Sequence, residues 1–230
     1  MNLNYTPLTL IVALFATLLY GQTSEEVKKS AEKGDATAQF NIGLMYYNGE
    51  DILTDKKQAL YWFKKNAEKG DATAQFNLAW LYFNGEGTLT DKKQAFYWYK
   101  KSAEQGLLQA QYNLGLMYYN GEGTLTDKKQ ALYWYQKSAE QGYAVAQYNI
   151  GVMYSNGEGT LTDKKQALYW YQKSAEQGYA KAQFNLGLMY INGEGTLADK
   201  KNAAYWIRLS YENGLEDAKK IWDKYELYKY

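Results

Sequence analysis

The chain has neither cysteine nor histidine among its 230 residues. Thiol nucleophiles, Cys/His zinc sites, imidazole acid–base work and disulfide staples are therefore excluded together. Carboxylates, hydroxyls, lysines and amides remain. Ser30-Ala-Glu-Lys33 has the S-x-x-K spacing in which a lysine activates a serine nucleophile. That β-lactamase-like chemistry also needs S-D-N and K-T-G elements, and neither occurs. The loop Asn-Gly-Glu-Gly-Thr-Leu-Thr-Asp at residues 120–127 gathers oxygen donors, but it offers two carboxylates and no D-x-D-x-D alternation. It reads as a helix stop followed by a helix start. No catalytic residue, metal or cofactor is expected.

The amides are more informative. Asn41, Asn77, Asn113, Asn149 and Asn185 recur every 36 residues. An asparagine offers a donor and an acceptor, so such a ladder can pair with the backbone of an extended peptide whatever its sequence. Tyr47, Phe83 and Tyr119, six residues beyond the first three, would then add specificity. The same ladder can instead bond neighbouring elements and fix their stacking, since a buried amide must find partners somewhere.

Charge narrows the partner class. There are 26 Lys+Arg against 25 Asp+Glu, without a block of either sign, so no field draws nucleic acid or an anionic membrane. The one arginine, Arg208, leaves almost no guanidinium for bidentate phosphate or base recognition. A monomer acting on a protein or peptide is the expectation.

The first 21 residues stand apart. Leu8–Tyr20 reads LTLIVALFATLLY, uncharged and short of the roughly 20 residues of a typical span. It fits the core of a signal peptide, with Gly21 as the small residue at the cleavage point. Residues 1–7 hold no Lys or Arg, so the terminal amine alone supplies positive charge, and an uncleaved anchor is the rival reading. The polar sequel without a basic flank favours export, secreted or periplasmic. Gln22 stands where a lipoprotein signal would need its lipidated cysteine.

The elements that must position the ladder follow from the repeat itself. Ala31, Ala67, Ala103, Ala139 and Ala175 open five units (31–66, 67–102, 103–138, 139–174, 175–210), and Gly34 to Gly214 recur in phase. In the third unit Ala110, Leu114, Met117 and Tyr118 fall on one helical face. Asn120-Gly-Glu-Gly stops that helix. Asp127-Lys-Lys-Gln130 approximates a capping box for a second helix with the stripe Ala131, Trp134, Tyr135 and Ser138, which Gly142 ends. A hairpin of this kind cannot bury its own apolar face, so neighbours must stack and the stack must be capped. Residues 22–30, opening on Thr23-Ser-Glu-Glu26, are predicted as an N-terminal capping helix, and 211–230 as a partial repeat with a closing helix.

Read over residues 103–135, the pattern AEQGxxxAQYNLGxMYxNGEGxxxDKKQAxYWY resembles the Sel1-like repeat family, a relative of the tetratricopeptide repeat, over about 180 residues. The resemblance implies an all-α fold, a right-handed α/α superhelical solenoid of 36-residue helix-turn-helix repeats. It also implies a concave face lined by first helices, and an adaptor role. Asp51 in place of the second loop glycine, Ala79 in place of the mid-helix glycine and the lack of the paired cysteines of the family's cysteine-rich branch are departures.

Variation among the units marks positions expected to be exposed. The fifth to seventh positions run Asp-Ala-Thr twice, then Leu-Leu-Gln, Tyr-Ala-Val and Tyr-Ala-Lys; the seventeenth runs Tyr47, Phe83, Tyr119, Ser155 and Ile191. Two function classes follow: a scaffold holding a peptide or protein on the concave face, or a glycan- or peptidoglycan-associated module using exposed aromatics. The strict phase of Tyr118, Trp134 and their equivalents assigns most aromatics to the core.

Overall fold

A computed structural model describes residues 23–230. The expected signal peptide and the processing point before Gln22 lie outside the described residues.

The described residues form twelve α-helices and no strand. After α1 (Ser24–Glu32) come five hairpins. Their helices are α2 (Ala36–Asn48) and α3 (Lys56–Glu68), α4 (Ala72–Asn84) and α5 (Lys92–Glu104), α6 (Leu108–Asn120) and α7 (Lys128–Glu140), α8 (Ala144–Asn156) and α9 (Lys164–Glu176), and α10 (Ala180–Asn192) and α11 (Lys200–Glu212). A short α12 (Asp217–Lys224) and a 3-10 turn (Leu227–Lys229) close the chain.

The ends are set locally. Thr23 and Glu26 form both arms of a capping box on α1. Asp127 caps α7 by accepting from the Lys129 and Gln130 amides at 3.0 Å each. Among the described residues no bond runs back from the Gln130 side chain, so half of the expected box is made. Gly157 takes a left-handed φ of +71° to stop α8.

The chain divides into two compact units, residues up to Leu107 and from Leu108 onward. In the first, α1 to α5 pack consecutively. In the second, α7 packs on α6 and α8, α9 on α8 and α10, and α12 on α11.

The first helices are buried more completely than one stripe implies. Ala110, Leu114 and Met117 are buried and Tyr118 half-buried, but Gln111 to Asn113, Gly115 and Leu116 are buried too. The same holds for Ala146–Gly151 of α8, which lies between α7 and α9. A helix with neighbours on opposite sides has little left to show to water. Close approach enforces small residues: a methyl at Gly115 would come 2.8 Å from the Tyr135 ring. Ala79 carries that methyl, and its hairpin has the steepest ring pair, Phe76–Tyr99 at 62° against 35–52° in the glycine hairpins.

Polar side chains repeat in the same register. Ser102 donates to the Ala72 carbonyl at 2.6 Å and the Gln105 amide to Gln75 at 2.8 Å, closing the hairpin base. Ser174, Gln177 and Ser210 repeat this in the second unit. Gln75, Gln147 and Gln183 each donate to an alanine carbonyl of the preceding hairpin at 3.1 Å.

Candidate functional site

The asparagine ladder lies inside the molecule. Asn41, Asn77, Asn113 and Asn149 are buried and Asn185 is half-buried. Burial pushes the phenol pKa of Tyr148 up, with the neighbouring Asn185 amide acting in the opposing sense, and Asn149 stands in the same relation to Tyr112, although Asn149 Nδ2 has no hydrogen-bond partner among the described residues. Each of those tyrosines lies 37 residues before its asparagine, on the preceding first helix. The residue 37 before Asn77 is Phe40, which has no hydroxyl. Neither amide atom of Asn77, at 0 % exposure, has a hydrogen-bond partner among the described residues.

The seventeenth positions are not exposed as their variability predicts. Phe83 is 5 % exposed, and Tyr47, Tyr119, Ser155 and Ile191 are half-buried. The first lysine of the second helix covers each aromatic: Lys56 lies 3.0 Å from the Tyr47 ring centroid, and Lys92 and Lys128 lie 2.8 Å from Phe83 and Tyr119. Variation there is tolerated because a long, flexible lysine adapts to the residue beneath it.

The same lysines join hairpins. Lys56 pairs with Glu86 at 3.4 Å, Lys128 with Glu158 at 3.4 Å and Lys164 with Glu194 at 2.8 Å, each glutamate belonging to the next Asn-Gly-Glu-Gly loop. The Tyr119 hydroxyl also donates to Glu158. Burial and then that bond push Tyr119 up to about 12. Burial works to raise Glu158, but the Tyr119 and Asn156 bonds and the Lys128 charge outweigh it and hold the carboxyl low; the Lys164 bond does the same for Glu194. A Cβ on Gly87, Gly159 or Gly195 would overlap the Lys56, Lys128 or Lys164 carbonyl of the preceding hairpin. Asp51 holds this place in the first hairpin, at φ +54°; there the preceding element is α1, and Ser24 donates to the Asp51 carbonyl.

Two rows do face solvent. Leu53, Leu89, Leu125, Leu161 and Leu197, one in each interhelix loop, are 87–89 % exposed. Tyr61, Tyr97, Tyr133, Tyr169 and Tyr205, on the second helices, are 47–51 % exposed. Each tyrosine stands edge-on to the following tryptophan, with centroids 4.9–5.1 Å apart. Sequence reasoning passed over both rows. The signal available was a leucine kept in phase within an otherwise polar loop. Ser30 lies within α1 and Lys33 at its C-terminal cap, where the structure records no hydrogen bond between their side chains.

The model of the Sel1 repeat matches residues 36–71, 72–107, 108–143, 144–179 and 180–215. The chain belongs to the Sel1 repeat family. The Sel1 frame has the 36-residue period found in the sequence, opening at each first helix. Among solved structures, a protective antigen of uropathogenic Escherichia coli displaying an SLR fold is 36 % identical with a TM-score of 0.83, over 84 % of this chain and 42 % of that one. A Sel1 repeat protein from Oxalobacter formigenes is 33 % identical with a TM-score of 0.77, over 87 % of this chain and 59 % of that one. The chain thus spans about two fifths to three fifths of these relatives. No curated protein matches it. The fold is an all-α solenoid of Sel1 hairpins, a scaffold architecture commonly devoted to protein interaction.

Proposed function

We propose that the chain is an exported, non-catalytic scaffold that acts as a monomer and binds a protein partner through its exposed repeat rows. The observation that carries this is the row of loop leucines. Scattered apolar residues on a surface need no explanation, but five leucines at one repeat position, each almost wholly exposed, contribute nothing to packing. The buried asparagine ladder serves this reading as a spacer that sets the hairpin pitch. Export is supported by the apolar run Leu8–Tyr20 and its polar sequel.

Substituting Leu125, Leu161 and Leu197 by serine tests the surface. Capture of a discrete protein by the tagged chain in its host is expected to fall at least tenfold, while the melting temperature is unchanged. Undiminished capture would remove the leucine row from the interface. Export is tested by mass spectrometry of the native protein, which is expected to begin near Gln22; an intact Met1 terminus in the membrane fraction would overturn it.

A second reading has its own observation. The five tyrosines, each braced by a tryptophan, are about half exposed at repeat spacing, and aromatic rings so placed are the chemistry of sugar stacking once the lysine over Tyr61, Tyr97, Tyr133 and Tyr169 moves aside. Retention on cell-wall material that is lost with Tyr133 and Tyr169 changed to alanine would favour a glycan-associated module.

A further inference from the structure

At the base of the first two hairpins the repeat pattern changes without a packing reason. Ser102, Ser138, Ser174 and Ser210 each satisfy themselves on a first-helix carbonyl at 2.6–2.8 Å. The equivalent residue in the first hairpin is Asn66. It is 1 % exposed, and its Oδ1 is buried with no donor. An acceptor taken from water and left unmatched is costly, so this oxygen marks a place for an N–H or O–H group.

Asn66 lines a recess of about 90 Å³ with Ala36, Thr37, Phe40, Asp71 and Thr73. Asp71 stands where later units have Leu107, Tyr143 and Tyr179, and Thr37 and Thr73 stand where they have Gln109, Val145 and Lys181. One Asp71 oxygen caps α4 through the Ala74 amide at 2.6 Å; the other has no partner among the described residues. Lys69, two residues before Asp71, is engaged with the Gly34 carbonyl at 2.6 Å. The recess is therefore lined by side chains that carry an amide, a carboxylate and two hydroxyls, beside an aromatic ring. The free oxygen and negative charge of Asp71, with hydroxyls that can accept and an aromatic ring beside them, suit a cation that donates hydrogen bonds. Its volume is that of about three waters, well under a small-molecule pocket, so it takes the tip of a side chain and not a whole metabolite.

We propose that this recess receives the cationic end of a partner's side chain, a lysine ammonium or arginine guanidinium. The proposal deepens the partner-binding reading and rests on it for the source of that side chain. The recess can be tested alone, so that its failure leaves the leucine row untouched and failure of the leucine test leaves the recess standing.

The full chain is titrated by NMR with the N-acetyl N-methylamides of lysine, arginine and norleucine, following the Asn66 side-chain amide and the Phe40 ring. Lysine or arginine is expected to shift both signals saturably and norleucine to leave them in place; the tighter of the two cations names the group. Asn66→Ser installs the residue of the later hairpins, and Asp71→Asn keeps a competent cap, so both variants fold. Each is expected to weaken binding at least tenfold. Shifts from norleucine equal to those from the cations, no shift with either cation, or unchanged affinity in Asn66→Ser would each overturn the proposal.

Discussion

At the scale of single residues, the five asparagines are one position with unequal surroundings. Asn149 and Asn185 have phenols beside them on the preceding first helix, although Asn149 Nδ2 is itself unbonded, whereas Asn77 is enclosed with neither amide atom bonded. Gln147→Ala is expected to cost about 1–3 kcal/mol, because it strands the Ala139 carbonyl and the Gln177 amide that Gln147 bonds. Asn77→Leu, which keeps the branched shape and removes two unsatisfied atoms, is expected to be neutral or stabilising. Urea unfolding of the two variants checks this; equal losses would show that Asn77 has a partner after all. The sequence showed that these residues recur and that they must bond or bind. It did not show which. That depends on the side chains set beside each amide, which are invisible until helices are placed side by side.

At the scale of the element, the Asn-Gly-Glu-Gly loop does more than turn the chain. Its glutamate reaches the lysine of the preceding hairpin, and its second glycine lies against that lysine's carbonyl. Gly159→Ala is expected to cost about 2–5 kcal/mol, from left-handed strain together with overlap. Gly142→Ala, left-handed but with no atom within 4 Å of its Cβ, is expected to cost about 1–2 kcal/mol. Thermal melts that fail to separate them would deny the loop its stacking role. The glutamates also set an acid limit. Glu158 and Glu194 titrate low in the folded chain, so their contribution is complete above the ordinary glutamate value, about 4.3, and is lost as pH falls through the folded value. Glu158→Gln with Glu194→Gln is expected to flatten the fall in melting temperature below about pH 4.5, modestly, because these pairs are partly exposed. Much of this element was legible: the period, the helix stop and the Asp127 cap follow from residue type. The full burial of the first helices was not, since a stripe calculated for one hairpin ignores the hairpins on either side.

At the scale of the whole molecule, stability is a sum of neighbour interfaces with ends that must be sealed. Beyond α11 the residues imitate a further repeat. Leu227 is fully buried, and the Tyr230 hydroxyl meets Lys200 at 3.1 Å, 30 residues on, where other lysines meet glutamate. Deleting residues 216–230 is expected to lower the melting temperature and promote association, whereas removing 144–179 in register does less harm. The exposed rows were the part of the candidate site that sequence patterning missed, because periodicity selects what repeats on a buried face and is silent on apolar residues in polar loops. The most direct test of the account is hydrogen exchange on the chain with its captured partner. The account predicts new protection at the loops around Leu125 and Leu161, with the slow exchange of Asn113 and Asn149 unchanged. Protection that appears along the first helices while those loops stay open would contradict it and return the binding surface to the asparagine ladder.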